Sequence, residues 1–432
     1  MTPFLFQEEG SDWLASRTNA LLADEAGLGK TAQGVWGVKK ACASRGAAKS
    51  VAVICPAIAV SHWKQQFEML WPRGPRPIVE SYDRITLRPS YRAEIKSARP
   101  DFLILDESQR LKNREAKRTR VILGPYCRGN GLASVAKRHW LLSATPAPND
   151  GSEYWPMLRA LWPDLIDEMS YYDFVMHFFN TASTRFGLKV VGNRRPEELR
   201  EILRQISLRR RVEAVMPQLP KWNWEPLTVD PVEAIDGLRQ MEASDPNIQR
   251  LQERVNNGGD FHEESVHFTT LRRLVGEAVA PAVGRMVFEE LTDRVYPKIV
   301  LIAHHHRVIN ILHSQLGDLG CVQITGKSSP AQREEAIYRF QNDPTCRVFI
   351  GQDQACREAI TLTAASQMIN VEPDWVPDNN YQAAKRIHRI GQDKPVFIRM
   401  CGLAGSVFDS ISRANIRKIH NNNELRLEGD LA

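Results

Sequence analysis

The sequence predicts an α/β protein of two domains, each built on a parallel sheet, with helical insertions. Three observations carry this. Short continuous apolar runs recur in two series, as strands buried on both faces of a parallel sheet require. Segments with helical apolar spacing lie between the runs, and such alternation argues for parallel pairing. A length of 432 residues allows two or three domains with proper cores.

Composition narrows the class. Hydrophobic residues make up 43% and charged residues 25%, the balance of an ordinary soluble protein. No run is apolar enough to span a bilayer, and residues 1–10 lack the basic and apolar regions of a signal peptide. A cytoplasmic location without a membrane partner is expected. The seven cysteines form no Cys-x-x-Cys pair, so neither structural zinc nor a disulfide framework is expected. The net charge of +6 permits a polyanion partner without demanding one. Basic residues cluster at Lys117-Arg118-Thr119-Arg120, Arg194-Arg195 and Arg209-Arg210-Arg211. Each cluster alone reads first as a solvated surface.

The first series of runs places chemistry. Val51–Ile54 leads into Cys55-Pro56, Phe102–Leu105 into Asp106-Glu107, and Trp140–Leu142 into Ser143-Ala144-Thr145-Pro146. Ligands of open α/β sheets bind at the carboxyl ends of strands, so these polar residues should surround one site. Upstream stands Asp24-Glu25-Ala26-Gly27-Leu28-Gly29-Lys30-Thr31. Gly27 and Gly29 allow backbone N–H groups to turn toward phosphate oxygens, and a helix after them adds its positive end. Lys30 would reach the outer phosphates of a nucleotide and Thr31 would hold Mg²⁺. The general phosphate-loop pattern has a glycine where Asp24 stands, so a chance match in a surface turn is the alternative. Asp106, at the end of a buried run, can hold Mg²⁺ through water, and Glu107 can orient or activate an attacking water. Gln7, beside Phe6, carries an amide that can read adenine with one donor and one acceptor.

The second series runs through Ile299–Ala303, Val322–Ile324, Val348–Ile350, Met368–Val371 and Val396–Ile398. One helix between them is well signed: Ser329 as N-cap, Pro330 at the first helical position, Gln332 closing a capping box, and Ala336, Ile337 and Phe340 on one face. Helical spacing also marks Trp155, Leu158, Leu161 and Trp162, and again Leu199, Ile202, Leu203 and Ile206. Pro217, Pro220 and Lys221-Trp222-Asn223-Trp224 read as a linker, and Asn256-Asn257-Gly258-Gly259 as a turn. In a helical 382–392 segment, Gln382, Arg386 and Arg389 share one face at i, i+4 and i+7. Two arginines there could clamp a γ-phosphate held by the other domain, and such a finger can raise the rate by about a thousandfold or more.

Taken together, the ordered motifs resemble the superfamily-two helicase-like ATPases, and within them the Swi/Snf-type DNA translocases. Phe6-Gln7 resembles the adenine-reading element. The 24–31 segment resembles the first motif in its family form, which accounts for Asp24. Cys55-Pro56 with Trp63 resembles the next motif. Asp106 through Asn113 resembles the Asp-Glu-x-His box and its basic extension, and Ser143-Ala144-Thr145-Pro146 with Asn149 resembles the coupling motif. Gln382 through Gln392 is similar to the final motif, and His304-His305 is similar to the annealing-helicase subgroup. The resemblance implies two RecA-like lobes: 1–150 as the ATP-binding lobe, 151–225 as a helical insertion and linker, 226–295 as a helical insertion of the second lobe, and 296–432 as the lobe with the arginine finger. It further implies ATP and Mg²⁺ as cofactors and hydrolysis in a cleft between lobes. Catalytic roles fall to Lys30, Asp106, Glu107, Arg386 and Arg389, nucleotide contacts to Gln7, Gly27, Gly29, Lys30, Thr31 and Gln382, and coupling to Ser143, Ala144 and Thr145. Double-stranded or branched DNA is the implied partner, contacted by Lys112, Asn113 and Thr363.

The chain departs from the family pattern in two places. Gln109 replaces the histidine of the box, and Arg357 and Ala359 stand where glycines are usual before Leu362-Thr363-Ala364-Ala365. The expected activity is DNA-stimulated ATP hydrolysis driving translocation on duplex DNA, in repair or in fork or branch processing. A strand-separating helicase and a DNA-binding scaffold without turnover are the alternatives. With no chromatin-reading domain in view, a bacterial, archaeal or viral setting is expected over nucleosome remodelling.

Overall fold

A computed structural model describes residues 2–45, 50–148, 150–184, 187–230, 242, 244, 246, 248–250, 253, 266–356 and 360–428. Asn149, the 256–259 turn, Arg357 and Ala359 lie outside the described residues. The chain divides between Pro217 and Gln218 into two compact units.

The first unit opens with helix α1 (Leu5–Ser16), strand β1 (Asn19–Leu22), helix α2 (Lys30–Arg45), strand β2 (Val51–Cys55) and helix α3 (Val60–Leu70). Strands β3 (Ile78–Ser81), β4 (Phe102–Asp106) and β5 (Arg138–Leu142) follow, then a hairpin of β6 (Phe179–Thr184) and β7 (Gly187–Asn193), and the short β8 (Ser207–Leu208). One sheet has the order β3-β2-β4-β5-β1-β8, with every neighbouring pair parallel. Its continuous apolar runs divide by the two-residue period of a strand. Leu21, Ile54, Leu103, Leu105 and Leu141 enter the core on one face, and Leu22, Val51, Val53, Ile104, Trp140 and Leu142 the core on the other. Burial on both faces is therefore why these strands lack polar alternation. Register aligns Leu22 with Leu142 and Asp106 with Leu142, so the loop after β1, the acids after β4 and Ser143 emerge at one edge.

Residues 151–217 belong to this same compact unit. The expected helices are present at Trp155–Leu161 and Pro196–Ile206. The antiparallel β6–β7 hairpin between them was not foreseen, because Asn180, Thr181, Ser183 and Asn193 carry no apolar alternation. Phe179, 1% exposed, roots the hairpin in the core.

The second unit holds β9 (Trp222–Val229), β10 (Ile299–Ala303), β11 (Cys321–Ile324), β12 (Val348–Gln352), β13 (Gln367–Asn370) and β14 (Val396–Leu403). They form a sheet of order β11-β12-β10-β13-β14-β9, again parallel throughout. All five strands expected from the second series are present. Residues 221–224, read as linker, need correction: Trp222 to Trp224 begin β9, which pairs with β14 over eight residues. A Trp-Asn-Trp alternation suits an edge strand with one face buried, and Trp224 is 6% exposed. The capping box is formed as expected, with Ser329 Oγ accepting from Gln332 N and Gln332 Oε1 accepting from Ser329 N at 2.8 Å. A long helix, Val266–Thr292, is tied to β14 by the Arg399 fork on Glu290 (2.7 and 2.8 Å).

Candidate active site

The loop after β1 is shaped by two glycines. Gly27 has φ 95° and Gly29 φ 74°, in the left-handed region that costs a side chain strain. A Cβ on Gly29 would also stand 2.6 Å from Gln7 Nε2. Lys30 begins α2, and Thr31 follows in its first turn. Lys30 Nζ donates to the carbonyl oxygens of Asp24 (2.7 Å) and Glu25 (3.3 Å). Burial pushes its pKa down, while Glu107, Asp24, Asp106 and Glu25 pull it up. The ammonium is thus within electrostatic reach of the carboxylates of the two sequence motifs. Gln7, on α1, uses Nε2 on Leu28 O (3.2 Å) and accepts at Oε1 from Phe4 N (3.1 Å). One amide hydrogen and one lone pair remain for a base.

Asp106 ends β4 and is held from three sides. Trp63 Nε1, from the fully buried indole of α3, donates to its Oδ2 at 2.7 Å, and Glu107 N donates to its Oδ1 at 3.0 Å. Tyr82 donates its hydroxyl to Asp106 O at 2.8 Å. Burial, then the Glu107 charge, raises the Asp106 carboxyl to about 7, against the pull of Trp63 and Lys30. Glu107 takes φ 49°, a left-handed conformation unusual for a glutamate. Backbone strain of this kind clusters at functional sites.

Gln109 links these acids to the Ser143-Ala144-Thr145 segment after β5. Its Nε2 donates to Glu107 Oε2 at 2.7 Å, and its Oε1 accepts from Ser143 Oγ at 2.6 Å. Ser143 Oγ in turn accepts from Thr145 N at 3.1 Å. The amide that replaces the box histidine therefore bridges the two motifs with one donor and one acceptor. Ala144 is half-buried between them.

In the second unit the helix carrying Gln382 runs Pro377–Ala384 and stops there. The continuous helix expected through Arg389 is therefore corrected: Arg386 and Arg389 lie in the turns beyond it. Burial, and then the like charge of Arg386, push the Arg389 pKa down to about 10. Arg389 Nη1 donates to Ile360 O at 3.0 Å. Gln392 staples the turn by donating to Ala365 O (2.8 Å) and Ile387 O (3.0 Å). Of the residues expected to meet DNA, Lys112 pairs with Glu153 at 2.9 Å, Asn113 accepts from Glu115 N at 2.9 Å, and Thr363 accepts from Gln341 Nε2 at 3.3 Å.

Comparison with known proteins shows the family. The SNF2-related domain profile matches residues 6–79 and 76–234, and the helicase conserved C-terminal domain profile matches residues 284–391. The chain belongs to the SNF2-related family. It is 28% identical over 424 residues to the SWI/SNF-related matrix-associated actin-dependent regulator of chromatin subfamily A-like protein 1 homolog of Caenorhabditis elegans, covering 92% of this chain and 58% of that protein. It is 25% identical over 444 residues to the DNA annealing helicase and endonuclease ZRANB3 of Mus musculus, covering 96% and 40%. The chain thus spans about half the length of these relatives. Among solved structures it is similar to a Sulfolobus solfataricus SWI2/SNF2 ATPase core in complex with dsDNA, 20% identical with TM-score 0.45, covering 100% of this chain and 98% of that one.

In each unit, further side chains packed beside these residues carry no signal of their own in the sequence. Gln33, fully buried, donates to Asp24 Oδ2 (3.0 Å) and Leu28 O (3.1 Å). In the second unit Trp222 stacks on His388 (4.4 Å between centroids), and the buried Lys385 ammonium lies 4.6 Å from the Trp222 ring and 5.1 Å from Tyr381. His388 Nε2 sits 2.8 Å from Pro220 O. A lone glutamine or tryptophan carries no periodic signal, so only the local fold could reveal these partners. Among the described residues no group of three His, Cys, Asp or Glu side chains gathers to hold a metal. Asp106 at the end of β4 and Thr31 in the first turn of α2 supply a carboxylate and a hydroxyl, donor types that Mg²⁺ takes beside nucleotide phosphates.

Proposed function

We propose that this SNF2-related chain is a DNA-stimulated ATPase that translocates along duplex DNA, in the cytoplasm and in the service of repair or fork and branch processing. The observation that carries the reading is the joining of three motifs: Glu107 is tied through Gln109 to Ser143, and the Asp106 and Glu107 charges act on Lys30. Lys30 would neutralise the outer phosphates of ATP, and Gly27 and Gly29 would expose loop N–H groups to them. Thr31 and Asp106 would hold Mg²⁺, Asp106 partly through water, and the metal when bound would offset phosphate charge. Glu107 would take the proton of the attacking water. Gln7 and Gln382 would contact the nucleotide, and Arg386 and Arg389 would stabilise charge on the departing phosphate.

Contacts from Lys112, Asn113 and Thr363 would go mainly to DNA phosphates, giving salt-sensitive binding with little sequence preference. The mouse relative is named as an annealing helicase, which supports duplex or branched DNA as the substrate here. Phosphate release measured with and without duplex DNA tests the proposal. Release should rise with DNA, and Glu107→Gln should lower it by at least about a hundredfold with the fold intact. Turnover at wild-type level in Glu107→Gln would overturn the site assignment, and turnover indifferent to DNA would overturn the substrate. Absent turnover with retained DNA binding would mark a scaffold.

One observation favours a second reading, strand separation. The β6–β7 hairpin exposes Leu188 (48%) and Val191 (60%) from a base rooted at Phe179. Comparing triplex displacement with fork unwinding on matched substrates separates the two readings.

A further inference from the structure

Asp24 occupies the place where a general phosphate loop begins with glycine, and its carboxylate is fully buried. A buried carboxylate beside a triphosphate site would repel the ligand unless it were paired. Its partner is Arg210, 186 residues further along the chain. Arg210 Nε donates to Asp24 Oδ1 at 3.1 Å and Nη2 to Oδ2 at 2.7 Å, a two-pronged fork of the strong, geometrically specific kind. Nη2 also donates to Gln33 Oε1 at 2.8 Å, and Nη1 to Phe6 O. The guanidinium lies 5.6 Å from the Phe6 ring and 3.5 Å from Glu9 Oε2.

The backbone around Arg210 is tied to the same loop. Strand β8 pairs with the end of β1, Ala23 N donates to Leu208 O (2.8 Å), Glu25 N to Arg210 O (3.0 Å) and Val212 N to Glu25 Oε2 (2.8 Å). Gly10 of α1 is the clearance for this contact. A Cβ there would stand 1.9 Å from Gln33 Oε1 and 2.5 Å from Arg210 Nη2. Glycine inside a helix is less favourable than alanine, so its presence at the point of contact has a packing reason.

From this we infer that Arg210 is a positioning residue for the nucleotide: it neutralises Asp24 and locks the phosphate loop, the start of α2 and the Gln7-bearing helix α1 in one register, setting nucleotide affinity and base preference. It touches Asp24, Gln33 and Phe6 rather than the reacting atoms. Lysine keeps the charge but, as a single ammonium, cannot span both Asp24 oxygens, Gln33 and Phe6 at once. Glutamine loses the charge and leaves the Asp24 carboxylate without a cation, held by the Gln33 amide. The inference rests on the ATP reading above.

The test is steady-state hydrolysis of ATP and GTP by the full chain with saturating duplex DNA, alongside thermal melts. Arg210→Lys should raise KM for ATP by about tenfold while kcat stays within about threefold, because Glu107 and Gln109 are untouched. It should also lower the ATP-over-GTP preference, since α1 carries Gln7. Arg210→Gln should raise KM further, and Asp24→Asn/Arg210→Gln, balanced in charge, should recover part of that loss. If Arg210→Gln fails to fold, Arg210→Lys and Asp24→Asn carry the test alone. A wild-type protein that binds no ATP would overturn the reading of the site and this inference with it. A hydrolysing wild type whose variants melt earlier but keep KM and base preference would overturn this inference only.

Discussion

Ser143 donates its hydroxyl hydrogen to Gln109 Oε1 at 2.6 Å, and through that amide it is one residue removed from Glu107. The bridge needs a group at position 109 that donates toward Glu107 and accepts from Ser143. Neutral histidine meets the same requirement with one ring nitrogen protonated and the other bare. Gln109→His should therefore keep DNA-stimulated hydrolysis within about threefold of wild type, and Gln109→Leu should lower kcat by about tenfold or more with KM for ATP little changed. Steady-state kinetics of the two variants checks this. Equal rates for both would show the bridge to be idle.

Arg389 should act on turnover rather than on binding. It is half-buried, with its charge opposed by Arg386, so its guanidinium is expected to gain most from a concentrated negative charge. Arg389→Ala should bind ATP within a few-fold of wild type yet hydrolyse it at least about a thousandfold more slowly. Nucleotide binding by fluorescence titration, paired with phosphate release, checks this. Unchanged turnover would remove Arg389 from the machinery.

Lys112 is held by Glu153 at 2.9 Å, which competes with any phosphate for the ammonium. Releasing it should strengthen DNA binding. Glu153→Gln is expected to lower the DNA concentration for half-maximal stimulation by about twofold to fivefold at low salt, and to steepen the salt dependence. A titration of ATPase rate against duplex DNA at two salt concentrations reads both effects. Weaker stimulation would instead make Glu153 a support for the 112 region.

The Glu290–Arg399 pair gives an acid-sensitive stability in the second unit. Burial raises the Glu290 carboxyl, but the Arg399 fork and the Tyr296 hydroxyl outweigh it and leave the pKa below the usual carboxylate range. A depressed pKa means the stabilisation is present above the unfolded value of about 4.5 and is lost as pH falls through the folded value. Arg399→Met should destabilise by about 1–3 kcal/mol near neutral pH, and the gap from wild type should narrow below pH of about 4.5. Denaturant unfolding at several pH values measures this.

Much of the fold was legible because burial on both faces forces apolar runs. Val51–Ile54, Phe102–Leu105 and Ile299–Ala303 all became central strands. The edges were less legible. The two-residue β8 has too little sequence to signal itself, and β9 was hidden by flanking prolines and polar–aromatic alternation. The end of the helix at Ala384 was missed because the residues beyond it keep helix-compatible composition, while Trp222 and Pro220 hold His388 from outside.

The sequence by itself determined which chemistry is available: a glycine-flanked lysine, an Asp-Glu pair after a buried strand, a Ser-Ala-Thr turn and two nearby arginines. These are local patterns, readable because strand ends and short loops are built from consecutive residues. Only the tertiary structure decided the partners. Asp24 looked like a missing glycine and is a buried carboxylate matched by Arg210, and Gln109 looked like a lost histidine and is a two-ended bridge to Ser143. Such pairings depend on where distant segments cross the sheet edge, and contacts across so many residues leave no period for the sequence to display.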